Sequence, residues 1–230
     1  MTSGELADAT IVFDLDGTLV DTAPDLVRAL NQTLDLEGLP RVKLDLVRGQ
    51  VGHGARALIE RSTGLSGVSF SAERLSQLTS AFIDFYRADI ASDSTPFPGV
   101  AEALDTLAGL GAKLSVCTNK RTDLSVQLLE ALNLATRFSA IVGADAVTDR
   151  KPHPDHYRAA VTRAGGVVRR SLMVGDTAAD VAAARGAGAP VAVVAFGYSD
   201  GGADRFGADA LLHRYSELAP VSRRLLAGRR

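Results

Sequence analysis

Five short apolar runs constrain this chain more than any other feature: Ile11 to Asp16, Lys113 to Asn119, Ala140 to Asp145, Ser171 to Asp176 and Pro190 to Phe196. Their shortness and near-continuous apolar character suit parallel strands covered on both faces. Segments of helical period lie between them, such as Leu124 to Leu132 and Ala178 to Ala187, the latter closing on Gly186 and Gly188. Strand, helix, strand in repetition predicts an α/β fold, a Rossmann-like parallel sheet flanked by helices.

One connection breaks this rhythm. The first run ends at Asp16 and the second begins at Lys113, far more chain than a crossover needs. Within it Ala23 to Leu36, Lys43 to Thr63 and Ala72 to Ala88 carry helical apolar spacing, with breaks at Gly38-Leu39-Pro40 and from Gly64 to Ser71. An inserted all-helical domain is expected over residues 21–94, leaving 1–20 and 95–230 to form the core domain. Val20 to Thr22 and Ser92 to Pro98 are the expected hinges, with Pro96 and Pro98 restricting the return path.

The bulk properties narrow the partners. A chain of 230 residues with 46% apolar and 23% charged residues has an ordinary globular balance, long enough for a core domain with a smaller insertion. Its net charge of -2 offers no basic field for nucleic acid, and Arg223, Arg224, Arg229 and Arg230 read as a solvated tail. The opening MTSGELADAT lacks the basic start and apolar run of a signal peptide. No apolar stretch approaches the ~20 residues of a membrane span, so the expected address is the cytoplasm. The single cysteine, Cys117, lies in an apolar run and is expected to be a buried hydrophobe.

Ligands of an open parallel sheet gather beyond the carboxyl ends of its strands. There the runs turn polar: Asp14-Leu15-Asp16-Gly17-Thr18 after the first, Thr118-Asn119-Lys120 after the second, a path to Lys151 after the third, and Gly175-Asp176 followed by Asp180 after the fourth. Any one aspartate here could simply cap the following helix. As a set they ask for more, because Asp14 and Asp16 stand two apart and strand alternation sends both side chains to one side. Carboxylates that close repel unless a cation or a proton intervenes, and an oxygen-only donor set suits magnesium.

Together these residues resemble the haloacid dehalogenase superfamily of phosphotransferases, along nearly the whole chain. Asp14-Leu15-Asp16-Gly17-Thr18 is similar to its first motif, Asp-x-Asp-Gly-Thr; Thr118 to its second; Lys151-Pro152 to its third; and Gly175-Asp176 with Asp180 to its fourth. The resemblance implies a helical cap over the active site and a phospho-aspartate formed on Asp14 as nucleophile. An aspartate, ionised at neutral pH, needs no base for that role. It further implies Mg2+ held by the Asp14 carboxylate, the Asp16 backbone carbonyl and Asp176, with Thr118 and Lys151 on the phosphoryl oxygens and Asn119 beside them. Asp16 is left to act as general acid and then base. Asp180 is expected to orient a metal-bound water or Lys151.

Within the superfamily, Asp16 argues against dehalogenation, whose enzymes lack that acid/base partner. Val20-Asp21-Thr22-Ala23-Pro24-Asp25-Leu26, Ala29-Leu30-Asn31 and Val51-Gly52-His53-Gly54-Ala55 resemble phosphoglycolate phosphatases, which implies hydrolysis of 2-phosphoglycolate to glycolate and phosphate. The far carboxylate of that substrate needs a cation or several donors from the cap. His53, between two glycines, and Arg56, on the next helix, are the candidates. His153 is expected to serve its proline-bounded loop, and His156 and His213 have no evident partner. Pyrophosphatases, phosphonate hydrolases and sugar-phosphate mutases share the same core. The phosphonate enzymes use a cap lysine, and Lys43 is the sole lysine of the insertion. A signalling receiver domain also combines aspartates, magnesium, a threonine and a lysine, but has no use for the insertion or for Asp16. The expected partner is a small phosphorylated metabolite, bound by a monomer or homodimer.

Overall fold

The computed structural model describes residues 4–52, 54–199 and 203–229. The first part of the chain forms β1 (Thr10–Phe13), β2 (Val20–Asp21), α1 (Ala23–Asp35), α2 (Leu44–Arg48), α3 (Ala55–Leu65), α4 (Ala72–Ala88), β3 (Thr95–Pro96), α5 (Val100–Gly109) and β4 (Lys113–Cys117). The remainder forms α6 (Thr122–Ala131), β5 (Ala140–Val142), α7 (Pro154–Arg163), β6 (Ser171–Gly175), α8 (Ala178–Ala187), β7 (Val191–Val194), β8 (Ala210–Leu212) and α9 (Leu218–Leu226). No described helix is long and apolar enough to cross a membrane.

Six parallel strands make one sheet in the order β5-β4-β1-β6-β7-β8. The central β1 pairs with β4 on one side and β6 on the other, so strand order reverses at its carboxyl end and opens a crevice there. Period-two alternation divides the core. Ile11 and Phe13 join the cluster that includes Val100, Leu104 and Leu218 from α5 and α9, whereas Val12 joins that of Tyr157, Val161, Val181 and Ala184 from α7 and α8. Cys117 belongs to the second cluster, fully buried, and burial pushes its thiol well up, which makes it inert.

All five expected strands form, and each stops short of its expected end, at Phe13, Cys117, Val142, Gly175 and Val194. Two further elements, β8 and α9, lie beyond the five expected strands, and α9 carries Arg223 and Arg224. Instead of a solvated tail, that segment is a helix whose Leu218 and Leu226 are buried; Arg230 lies outside the described residues.

The insertion is helical throughout. Pro24 sits in the first turn of α1, where its missing N–H leaves no intrahelical bond unmade, and Ser71 caps α4 by accepting from the Arg74 N–H. α4 packs against α1 and α3 through Leu75, Leu78, Phe82 and Tyr86. The expected helix Lys43 to Thr63 is two, α2 and α3, separated by a turn containing Gly52 and Gly54, both at positive φ. The two segments expected as hinges lie side by side: β2 and β3 pair antiparallel, Val20 opposite Pro96 and Asp21 opposite Thr95.

Asp25 secures this junction. Fully buried on α1, it accepts hydrogen bonds from the Ser94 N–H and Oγ (2.8 and 2.6 Å), from the Asp93 N–H and from Arg28. Burial opposes its charge, but these donors together hold its carboxyl below the usual range. Its share of stability is therefore full above the unfolded-chain value of about 3.9 and is lost as pH falls through the lower folded value. Asp25→Ala leaves the Ser94 N–H, the Ser94 hydroxyl and the Asp93 N–H without an acceptor, Arg28 keeping Asp89, and should lower the unfolding free energy by roughly 2–4 kcal/mol, read from the urea midpoint at pH 7.

Candidate active site

The turn after β1 positions the first two carboxylates. The Asp14 N–H still bonds to the Val174 carbonyl of β6 at 2.9 Å, but the ladder then ends, and Gly17 N–H, Leu19 N–H and Val20 N–H fold back onto Val20 and Leu15 carbonyls. Strand alternation therefore does not bring Asp14 and Asp16 together; this turn does. Gly17 makes it possible, at φ 80° and so close to Asp176 that a Cβ would fall 2.4 Å from Asp176 Oδ2.

Lys151 stands at the centre of the cluster. Its side chain is 2% exposed, and Nζ lies 2.9 Å from Asp14 Oδ1 and 2.6 Å from Asp180 Oδ1. Asp180 Oδ2 accepts in turn from the Thr177 N–H (3.0 Å), Thr177 Oγ1 (2.7 Å) and the Asp176 N–H, capping α8. His156, which seemed partnerless in sequence, anchors Lys151 from behind. Its Nδ1 accepts from the Lys151 N–H at 3.2 Å and its Nε2 faces the Val142 carbonyl at 3.1 Å. Burial, reinforced by the nearby Lys151 charge, lowers this imidazole to about 4, so it stays neutral and a single tautomer serves both bonds. His153 caps α7 by accepting from the Asp155 N–H, in keeping with a loop role.

Asp16 faces a second lysine that the sequence reading did not place in the site. Lys120 Nζ lies 2.7 and 3.0 Å from the two Asp16 carboxylate oxygens, and Thr22 Oγ1 donates to Oδ1 at 2.6 Å. Thr118, 1% exposed, accepts from the Lys120 N–H. The Asn119 amide donates to the carbonyls of Gly52 and Lys151, tying the β4 loop to the insertion and to the Lys151 loop. Asp14, Asp16, Thr118, Asn119 and Lys120 line a cavity of about 370 Å³, whose opposite wall is apolar: Leu26, Val51, Leu58, Phe82, Ile83 and Tyr86. Arg56 reaches its edge, paired with Glu60 at 3.3 Å and exposed; His53 lies outside the described residues. Lys43 is exposed ahead of α2 and does not line this cavity.

The donor set fits a divalent cation. One oxygen each from Asp14, Asp176 and Asp180 lie within 4.8 Å of one another, all buried. Asp180 is taken up by Lys151 and the α8 cap. Asp14 Oδ2 has no hydrogen-bond partner among the described residues, and the Asp176 oxygens each hold one bond, from Thr18 Oγ1 and the Tyr198 N–H. Among the described residues, four carboxylates, Asp14, Asp16, Asp176 and Asp180, stand with two ammonium groups, Lys120 and Lys151. Accordingly, burial first and then the neighbouring aspartates push Asp14 up to about 7 against the pull of Lys151, and raise Asp176 well above the usual range. A divalent cation would cancel that excess negative charge.

A capped parallel sheet with buried carboxylates and lysines gathered at its switch point defines the class: a hydrolase whose charged edge lies under a helical insertion. Residues 11–194 match the family of haloacid dehalogenase-like hydrolases, and the chain belongs to that family. It is 50% identical over 214 residues to a phosphoglycolate phosphatase of Caulobacter vibrioides, covering 93% of this chain and 90% of that one. With a phosphoglycolate phosphatase of Agrobacterium fabrum it shares 43% identity, over 96% and 94% of the two chains. A crystal structure titled a predicted phosphoglycolate phosphatase from Haemophilus somnus superposes with a TM-score of 0.87 at 27% identity, over 94% and 98%.

The raised carboxylates make a pH prediction. Without a divalent cation, Asp14 keeps its proton in the folded protein to about pH 7 but loses it near 3.9 in the unfolded chain, so its contribution to stability falls as pH rises across that window. A cation needs the ionised form and competes with those protons. The rise in melting temperature on adding a divalent cation should be larger at pH 8 than at pH 6 by scanning calorimetry. Equal rises would place the cation elsewhere.

Proposed function

We propose that this chain is a magnesium-dependent phosphatase that hydrolyses 2-phosphoglycolate to glycolate and phosphate through a phospho-aspartate on Asp14. The observation that carries the chemistry is the contrast between two carboxylates opening on one cavity. Asp14 presents an oxygen bare of hydrogen bonds, while Asp16 is held by a lysine and a hydroxyl. Support for the substrate comes from the two relatives above, both named phosphoglycolate phosphatase and matched over nearly their whole lengths.

In this reading the Asp14 carboxylate attacks phosphorus in line, and the bond from phosphorus to the glycolate oxygen breaks. Asp16, entering protonated, gives its proton to the departing oxygen, then takes one from the water that attacks the phospho-aspartate, so phosphate leaves, Asp14 is freed as a carboxylate and Asp16 regains its proton. Lys151 and the Thr118 hydroxyl bind the phosphoryl oxygens, and Asp180 and His156 keep Lys151 in place. Bound Mg2+, held by Asp14, Asp176 and the Asp16 backbone carbonyl, supplies positive charge that lets an anionic nucleophile approach an anionic phosphate. Asn119 fixes the loops around the phosphoryl group, and His53 and Arg56 stand for the glycolate carboxylate.

Phosphate release from a panel of small phosphomonoesters, with magnesium present or chelated, tests metal and substrate together. Phosphoglycolate should be turned over best, and only with the metal. Equal turnover of many sugar phosphates would overturn the narrow substrate. Asp14→Asn should leave no turnover above background with the fold intact. Asp16→Asn should lower kcat by roughly 10²–10⁴.

A further inference from the structure

The contacts that fix Asp16 come from places unlike those that fix Asp14. Thr22, on one side, stands between β2 and α1 in the junction with the insertion. Lys120, on the other, has a side chain only 7% exposed, and its long stem needs bracing if the ammonium is to hold one geometry. That brace is an aromatic ring from the insertion. Lys120 Nζ lies 4.6 Å from the centroid of Tyr86, on α4. Tyr86 is 1% exposed and stacks on Phe82 one turn earlier, ring centroids 6.4 Å apart and planes 5° from parallel.

Lys120 Nζ sits over the ring face, and the buried Tyr86 hydroxyl, although close to Lys120, makes no well-directed hydrogen bond among the described residues. Burial keeps the phenol neutral, pushed up to about 12. A buried ammonium over an aromatic face is attracted by the ring quadrupole, and more strongly where water is excluded. With two of its protons directed at Asp16 and the ring beside them, Lys120 is clamped between core and insertion.

We infer that Tyr86 is a positioning residue for the reaction: its ring, carried by the insertion, clamps Lys120 against Asp16 and thereby aims the acid/base carboxylate. This rests on the reading of Asp16 as acid and base. The consequence is that proton transfer, although performed by the core, depends on α4 being seated over the sheet edge.

Steady-state kinetics of the full-length, magnesium-loaded protein with phosphoglycolate test this. Tyr86→Leu should lower kcat about tenfold or more with KM changed less than about threefold, whereas Tyr86→Phe, which keeps the ring, should restore most of the loss. In an Asp16→Asn background, Tyr86→Leu should cost nothing further, because the residue it aims is already disabled. A Phe variant as impaired as the Leu variant would assign the effect to the hydroxyl and overturn the inference. So would losses that multiply in the double variant. Should Tyr86→Leu not fold, Lys120→Gln is read by the same criteria of a kcat loss that vanishes when combined with Asp16→Asn, and a loss that persists overturns the clamp. Full activity in Asp16→Asn alone would instead remove the acid/base reading itself, a different failure from a harmless Tyr86→Leu beside a crippled Asp16→Asn.

Discussion

Three parts of the chain meet on a single buried ammonium. Lys151 Nζ contacts Asp14 at the end of β1 and Asp180 in the first turn of α8, while the Lys151 backbone is held by His156 of α7. In a site this dry the charge must be matched, since an ammonium or carboxylate left without its partner is strongly destabilising. The ion pair therefore sets the distance between Asp14 and α8, with Asp180 shared between lysine and helix cap. Lys120 repeats the arrangement on the far side of the turn for Asp16, so the two aspartates each have their own lysine.

The sheet and the strand-end aspartates were legible because both leave marks on composition: apolar runs of strand length, then abrupt polarity. What the pattern could not register is where hydrogen bonding stops. Each run was read past its true end because residues such as Asp14, Thr118 and Asp176 continue the run in sequence after the strand has ended. Asp14 and Asp16 are accordingly placed by a turn built on Gly17 and not by strand alternation. Strand β8, three residues long, carries too little pattern to detect. α9 was hidden by arginines that mark its exposed face.

Residues that act through partners distant in sequence were the ones missed. His156 bonds to a carbonyl 14 residues back, Asp25 to Ser94 69 residues on, and Asp16 to Lys120 104 residues on. No local spacing announces such pairs, because they exist only once folding has set the ends of the parallel strands, and the two ends of the insertion, side by side. Lys120 offered one faint signal, its place two residues after Thr118 at a strand end. Tyr86 offered none, since on an amphipathic helix an aromatic at core spacing is indistinguishable from packing.

Charge and enclosure come from different parts of the chain. The sheet edge contributes the carboxylates and lysines; α1, α3 and α4, with the turn before α3, contribute an apolar wall of Leu26, Val51, Leu58, Phe82, Ile83 and Tyr86. Neither suffices alone. Beside water the charges are screened, whereas against a low-dielectric wall each acts more strongly on a phosphoryl group. The insertion is tied to the core by a two-residue strand pair, by the Asn119 bond to Gly52, by the Arg87–Asp123 ion pair and by the Lys120–Tyr86 contact, while Asp25 fastens the two ends of the insertion to each other. In the proposed two-step reaction, such an element would exclude water during attack on phosphorus and admit one molecule for the second step.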